Sequence, residues 1–138
     1  MRKIEAVIRP DRLQSVQEAL RKTGYPGVMV TEMMGHGRQR GGHEDWPLDL
    51  RETYLPKVKL EIVVEEKNQE EVVETIVKAA WTGEMGDGKI FVSDVRDAIR
   101  VRTSERGPRV VAMNPPKKAA LPGSKVQKKP KSTAKKRR

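Results

Sequence analysis

Three segments of the sequence combine glycines with cations, and these residue types together bind phosphate groups. The first segment, residues 35–42, reads Gly-His-Gly-Arg-Gln-Arg-Gly-Gly; the second is Gly86-Asp87-Gly88-Lys89, and the third is Arg100-Val101-Arg102. Glycines let backbone N–H groups approach an anion without a Cβ clash, and lysine or arginine adds positive charge. A single nucleotide could therefore be bound by all three segments.

The hydrophobic pattern predicts that these segments connect the strands and helices of a small α+β domain. Alternating apolar residues predict strands over residues 3–8, 28–34, 58–64 and 89–93. Apolar residues three and four apart predict helices over residues 11–22 and from Asn68 to just before Gly83. The resulting βαββαβ order is typical of a ferredoxin-like sandwich, in which both helices cover one face of an antiparallel sheet.

Local signals mark the helix ends and a fifth segment. Gly24 predicts a left-handed end to the first helix. Asn68, followed by Glu71 three residues later, resembles a capping box at the start of the second helix. Residues 98–103 are predicted to form a short edge strand or a hairpin partner.

A long connection, residues 36–54, joins the second and third strands. Structureless connections of that length are uncommon in small domains and are usually functional or disordered. On the sheet face away from the helices, the pattern places the apolar residues Val7, Val63 and Phe91. Burial of this face predicts oligomerisation.

The net positive charge of the chain comes from its C-terminal part. The formal net charge is +10, yet residues 1–105 carry a net charge of −2 and residues 106–138, which lack acidic residues, carry +12. Residues 108–138 are rich in lysine and proline and poor in large apolar residues, so we expect them to be disordered. Such a tail could bind nucleic acid, tether an acidic partner or increase solubility.

Other bulk features predict a cytoplasmic protein without a membrane span. The chain contains no cysteine, so it needs no oxidising compartment. No run of residues approaches the ~18 consecutive apolar residues typical of a transmembrane helix, and no signal-peptide pattern opens the chain.

Several blocks of this sequence resemble the PII family of nitrogen-regulatory signal-transduction proteins. The resemblance covers residues 1 to about 107. The blocks that carry it are Arg2 to Pro10, Val30-Thr31-Glu32, Gly35-x-Gly37-Arg38-Gln39-x-Gly41, Leu55 to Val64, Thr82-Gly83-x-x-Gly86 to Val92, and Ile99 to Thr103. The resemblance implies a homotrimer with nucleotide sites between subunits. It also implies a mobile T-loop, about residues 36–54, that contacts a target such as a transporter or metabolic enzyme.

The resemblance implies that phosphates of ATP or ADP contact the turn of residues 86–89 and Arg38. The resemblance also implies that Arg100 and Arg102 reach the same phosphates from the adjacent subunit. Strand alternation would place both on one side, and an exposed charge pair is the alternative. Glu61 would help to orient the nucleotide, although a cross-strand ion pair is the ordinary alternative.

The resemblance also implies a second ligand, 2-oxoglutarate, bound through Mg-ATP. Gln39 would supply an oxygen ligand to Mg²⁺, and Lys57 would pair with a carboxylate of 2-oxoglutarate. Backbone amides around Gly37, Gln39, Arg40 and Gly41 would hold the rest of this dianion.

Two features depart from the family pattern. The T-loop is altered, since its tip lacks the tyrosine that many bacterial members present for uridylylation, and the basic tail is an addition.

The leading hypothesis is a nonenzymatic sensor of ATP, ADP and 2-oxoglutarate. The alternatives are an adenylate-only sensor, a weak ATPase, or nucleic-acid association through the tail.

Overall fold

A computed structural model describes residues 1–36 and 54–112. Within these ranges the regular elements follow the predicted order. They are β1 (Arg2–Ile8), a 3-10 turn (Pro10–Arg12), α1 (Leu13–Lys22), β2 (Met29–Gly35), β3 (Leu55–Val64), a 3-10 turn (Glu66–Asn68), α2 (Gln69–Ala80), β4 (Gly88–Asp94) and a 3-10 turn (Pro108–Val110).

The four strands form one antiparallel sheet in the order β2-β3-β1-β4. In the centre of the sheet, Ile4 of β1 lies opposite Ile62 of β3 on one side and Val92 of β4 on the other. The α+β class and the ferredoxin-like order are therefore confirmed. The order leaves β2 and β4 at the edges, with the long connection leaving from an edge strand.

The apolar residues of the helices and of the strands pack into one core on one face of the sheet. β1 contributes Ile4, Ala6 and Ile8 at every second position, and each of these residues is buried. α1 contributes Val16 and Leu20, four residues apart, which are fully buried. Because each large aliphatic side chain contributes roughly 1.5–3 kcal/mol on burial, this face supplies the main stabilisation of the domain.

Of the two helix ends predicted from the sequence, one is confirmed and one is wrong. Gly24 has φ +99°, and the N–H of Tyr25 donates to the carbonyl of Leu20 at 2.8 Å, so the predicted left-handed end of α1 is confirmed. The predicted capping box of α2 is wrong. Asn68 has helical dihedral angles and makes no side-chain cap, and the Glu71 carboxylate instead accepts a hydrogen bond from the Tyr25 hydroxyl at 2.6 Å.

Residues 98–106 form a tight hairpin with a single bridge, between Ile99 and Arg106. The N–H of Ser104 donates to the carbonyl of Arg100 at 2.8 Å, which closes the turn. Of the two predicted alternatives for residues 98–103, the hairpin partner is therefore confirmed and the edge strand is wrong. The strand alternation that placed Arg100 and Arg102 on one side is wrong with it. The hairpin continues into the turn Pro108–Val110, inside the range that the sequence assigned to the tail.

The sheet face away from the helices combines an ion-pair cluster with exposed apolar side chains. Lys3 lies 2.7 Å from Glu61 and 3.2 Å from Glu5, and Lys59 lies 3.8 Å from each carboxylate. Phe91 is 55% exposed on the same face. The oligomer predicted from this face stays a prediction.

Among the described residues, none of the helices has the length and apolar character that a membrane crossing requires.

The bond between Tyr25 and Glu71 generates a prediction about alkaline unfolding. Burial, with the Glu71 hydrogen bond, raises the pKa of Tyr25 to about 12. Because the folded-state pKa lies above the ordinary value of about 10, this stabilisation is fully present below about pH 10 and is lost as the pH rises toward 12. We expect Tyr25→Phe to lower the free energy of unfolding by about 1–3 kcal/mol at pH 8. In urea titrations its difference from the wild type should shrink above about pH 10; a constant difference would contradict this account.

Candidate functional site

A cleft of about 730 Å³ lies on the open sheet face where β1 and β3 approach the start of β4. Val7, Met33 and Phe91 form its apolar wall, and residues 84–89 form its rim. Gly35, His36 and Leu55 also line it, so both ends of the long connection border the same cleft.

Two aromatic rings close the base of that connection. The imidazole of His36 and the ring of Tyr54 meet edge to face, with centroids 5.9 Å apart. Edge-to-face contact is a favoured geometry for aromatic pairs. The chain therefore leaves β2 and returns to β3 at two points held together beside the cleft.

The rim of the cleft is a turn folded around one carboxylate, that of Asp87. Its Oδ2 accepts hydrogen bonds from the backbone N–H groups of Thr82 at 2.8 Å and Gly83 at 3.0 Å. Its Oδ1 accepts from the Thr82 hydroxyl and from Nε of Arg9 at 3.1 Å. With four donors around it, this carboxylate fixes the shape of the whole turn.

These contacts hold the pKa of the Asp87 carboxyl far below its ordinary range. The Thr82 hydroxyl is the largest cause, and the backbone N–H groups of Thr82 and Gly83 and the side chain of Arg9 act in the same direction. A carboxylate this firmly ionised is a poor proton acceptor. Asp87, predicted to be a ligand contact, therefore acts here as the internal brace of the turn.

Arg9 is a site residue that the sequence reasoning missed. Besides bonding to Asp87, its Nη2 donates to the carbonyl of Met85 at 2.7 Å, so one guanidinium holds two points of the turn. The pairing register of β1 with β4 would have shown that Arg9 lies beside the glycine turn. Ile8 pairs with Gly88, so the residue after β1 must lie beside residue 87.

Two lysines supply further positive charge to the cleft. Nζ of Lys57 donates to the carbonyl of Gly86 at 2.6 Å, which links the start of β3 to the glycine turn. Burial, with the nearby charge of Arg9, lowers the pKa of Lys57. Lys89 lies opposite Val7 in the sheet and is exposed at the mouth of the cleft.

Gly88 is required by the close approach of two strands. Its φ is +106°, and a Cβ added there would lie 1.7 Å from the carbonyl oxygen of Val7. Any side chain at this position would push β4 away from β1. Gly83 and Gly86 also have positive φ, which gives the turn its tight path.

Some of the residues predicted to bind ligands line the cleft, and others lie outside it. Predicted residues that lie together at the cleft are Gly35, Lys57, Gly86, Asp87, Gly88 and Lys89. Glu61 lies outside the cleft lining, and the hydrogen bond from Lys3 lowers the pKa of its carboxyl, so the ion-pair alternative describes it here. Arg100 and Arg102 lie on the C-terminal hairpin, outside the cleft lining.

The remaining predicted residues lie outside the described ranges. These are Gly37, Arg38, Gln39, Arg40 and Gly41. Within residues 1–36 and 54–112, no group of three or more acidic or histidine side chains is arranged to hold a metal ion.

Comparison with known proteins identifies this arrangement. The family model described as "Nitrogen regulatory protein P-II" matches residues 1–105. The chain belongs to the P-II family. Membership assigns the protein to nitrogen regulation and signal transduction, as the sequence blocks predicted.

Individual P-II proteins show how far the similarity extends. The chain is 49% identical over 112 residues to nitrogen regulatory protein P-II 2 of Methanothermobacter thermautotrophicus, covering 80% of this chain and 97% of that protein. It is also 49% identical over 112 residues to the P-II protein of Rhizobium meliloti, covering 78% of this chain and 96% of that protein. About a fifth of this chain therefore has no counterpart in those relatives.

A solved P-II structure supports the fold. It is the crystal structure of Arabidopsis thaliana PII bound to citrate, which matches with a TM-score of 0.68 and 44% sequence identity. The match covers 82% of this chain and 91% of the Arabidopsis chain.

The Gly88 contact predicts a large loss of stability on substitution. Gly88→Ala combines a positive φ with a backbone clash, so we expect it to lower the free energy of unfolding by at least about 3 kcal/mol. Gly27→Ala is the matched control, because a Cβ at Gly27 meets nothing within 4 Å. Urea unfolding of both variants measures the difference. Equal stability of the two variants would show that the strands can separate to accept a side chain.

The Asp87 brace predicts a distinctive acid limb of stability. Because the folded-state pKa is depressed, the stabilisation is present above the ordinary pKa of about 4 and is lost as the pH falls below it. Asp87→Asn should be less stable than the wild type at neutral pH, and the two should converge below about pH 4. Asp94→Asn, at a carboxylate 78% exposed, should show a smaller effect at neutral pH. Thermal unfolding from acid to neutral pH tests this, and parallel curves would refute it.

Proposed function

We propose that this P-II protein senses adenine nucleotides at the cleft and reports the bound ligand through the connection of residues 36–54. The observation that carries the proposal is the convergence of Arg9, Lys57 and Lys89 on a braced glycine turn. Polyphosphates bind where backbone N–H groups and cations face one concave surface. The apolar wall of Val7, Met33 and Phe91 offers a surface for the adenine base.

A trimer completes this site in the proposal. Arg100 and Arg102 lie outside the cleft of their own protomer, so a neighbouring subunit is needed for them to contact the phosphates. The exposed Phe91 and its apolar neighbours on the open sheet face give such a subunit a surface to cover. ATP or ADP would then lie between subunits, and Glu61 would retain an orienting role only if assembly rearranges its ion pair with Lys3.

The effector in the proposal is 2-oxoglutarate, bound through Mg-ATP. Lys57 would hold one carboxylate, and Gln39 with phosphate oxygens would hold Mg²⁺, whose hard charge prefers oxygen ligands. Gly37, Arg38, Arg40 and Gly41 would complete the contacts from the connection. The citrate in the Arabidopsis PII structure supports a carboxylate-rich ligand in this family.

The coupling to the connection would run through Lys57. Its ammonium now donates to the carbonyl of Gly86, and an arriving carboxylate would compete for the same protons. The connection begins beside Gly35 and ends beside Leu55, in the lining of the same cleft. A ligand in the cleft therefore has direct access to both ends of the segment that would contact a target protein in the cytoplasm.

The surroundings of two described carboxylates, Asp87 and Glu61, favour a sensor over an ATPase. Asp87 is surrounded by donors, and Glu61 is paired with Lys3. Neither is available to activate a water molecule for attack on the terminal phosphate. We therefore propose that bound ATP is released intact.

Calorimetric titration of ATP tests the nucleotide site. A charge-assisted contact contributes about 1.5–3 kcal/mol, so Lys89→Gln should weaken ATP binding by about 10- to 100-fold. Lys78→Gln is the matched control, because Lys78 is exposed on α2 and paired with Glu74 at 3.7 Å. Equal ATP affinity in both variants would overturn the assignment of the cleft.

Two further measurements test the remaining parts. 2-Oxoglutarate should bind with Mg-ATP present and fail to bind with Mg-ADP; failure with both would leave an adenylate-only sensor.

Light scattering should give the mass of a trimer, and a monomer at working concentration would contradict the shared site.

A further inference from the structure

Lys57 and Lys59 lie on the same face of β3 but have different surroundings. Nζ of Lys59 is 3.8 Å from each of two carboxylates, those of Glu5 and Glu61, and Lys59 lies outside the cleft lining. Lys57 is half-buried in that lining, where burial and the nearby charge of Arg9 lower the pKa of its ammonium. A lysine that is desolvated beside another cation loses its proton more readily, and the neutral amine is a nucleophile. Lys57 is therefore the more reactive of the two.

The hydrogen bond of Lys57 holds its amine at the glycine turn. Nζ lies 2.6 Å from the carbonyl oxygen of Gly86. A lysine amine that has lost one proton keeps two N–H groups, so it can go on donating to this carbonyl while its lone pair attacks an electrophile. The nucleophile is thus held beside the turn of residues 86–89, which the proposed function assigns to phosphate.

An apolar surface lies next to this amine. Met33 is directly opposite Lys57 in the pairing of β2 with β3, and it lines the cleft together with Val7 and Phe91. Such a wall offers contacts to a short alkyl group and keeps water from competing with the amine. A molecule that joins a phosphate to a short acyl group matches both the turn and the wall.

We propose that Lys57 is a site of acylation by acyl phosphates, whose phosphate binds the glycine turn while the acyl carbon faces Nζ. The inference rests on the proposed function, because it uses the same phosphate site. The lone pair of the neutral amine forms the N–C bond, and the C–O bond to the phosphate breaks. The electrons of that bond leave with the phosphate, which also takes the proton from nitrogen. The products are N-acyl-lysine and inorganic phosphate.

Acylation changes what the cleft can bind. It removes the positive charge of Lys57, which the proposed function assigns to a carboxylate of 2-oxoglutarate. Because ATP would occupy the same turn, bound ATP and an acyl phosphate exclude each other. An acylated subunit would lose its response to 2-oxoglutarate and keep Lys89 for the phosphates of a nucleotide.

Mass spectrometry of the full-length protein after incubation with acetyl phosphate tests the proposal. Peptide mapping gives the initial acetylation rate at each lysine, with Lys59 as the internal control. We expect Lys57 to react at least about tenfold faster than Lys59, because binding holds the donor and the amine together. Saturating ATP should remove this advantage and leave the rate unchanged at Lys78, which is exposed on α2.

A donor without a phosphate separates binding from intrinsic reactivity. N-Acetoxysuccinimide transfers the same acetyl group, and with it the ratio of the Lys57 rate to the Lys59 rate should be at least about tenfold lower than with acetyl phosphate. Lys89→Gln should slow the reaction of acetyl phosphate with Lys57 by at least about tenfold, since it removes a charge-assisted phosphate contact. Lys78→Gln is the matched control and should leave that rate unchanged.

Two results would overturn the proposal. One is the same ratio of Lys57 to Lys59 acetylation with both donors. The other is a rate at Lys57 that stays the same in saturating ATP. Calorimetric titration of ATP into the same protein keeps this inference apart from the proposed function. ATP binding without preferential acetylation of Lys57 overturns the acylation alone, whereas preferential acetylation without ATP binding supports the acylation and overturns the nucleotide sensor.

Discussion

The hydrogen bonds to the Asp87 carboxylate are the constraint on which the rest of the site depends. One side chain joins the end of α2, through Thr82, to the end of β1, through Arg9. Because the donors come from both directions, the turn between them has a single shape. The carbonyls of Met85 and Gly86 then face Arg9 and Lys57, and the chain enters β4 close enough to β1 that residue 88 must be glycine.

The same arrangement sets the charge of the cleft. The negative charge of Asp87 is satisfied inside the turn, so it subtracts little from the cations around the opening. Lys57 sits partly out of water, where its positive charge is poorly screened and its pKa is lowered. Lys57 and Lys89 both line the cleft, and their charge supports the proposal of an anionic ligand there.

The sequence predicted the parts of this protein that depend on local patterns. Strands, helices and the left-handed end at Gly24 follow from periodicity and from the conformational freedom of glycine, and each appears where it was expected. The capping box failed because Glu71 bonds to Tyr25, which lies 46 residues away in sequence. A contact of that kind arises from how α1 and α2 pack, and no local pattern encodes it.

The candidate site shows the same division. The glycine turn and Lys57 were predicted from residue types and family blocks, and the structure brings them to one cleft. Arg9 was missed because its partner Asp87 is 78 residues away in sequence. The strand alternation assumed for Arg100 and Arg102 failed because these residues lie in a tight hairpin. Residue types predict which chemistry is available, but only the sheet register shows which side chains meet.

The contact between the rings of His36 and Tyr54 has a consequence for how this protein can diversify. Because it pins the two strand ends together, the length of chain between them can change without altering the pairing of β2 with β3. Doubling a flexible loop costs only about 0.6 kcal/mol in closure entropy. Insertions or deletions between His36 and Tyr54 are therefore thermodynamically cheap, and the length of this connection can change while the sheet stays the same.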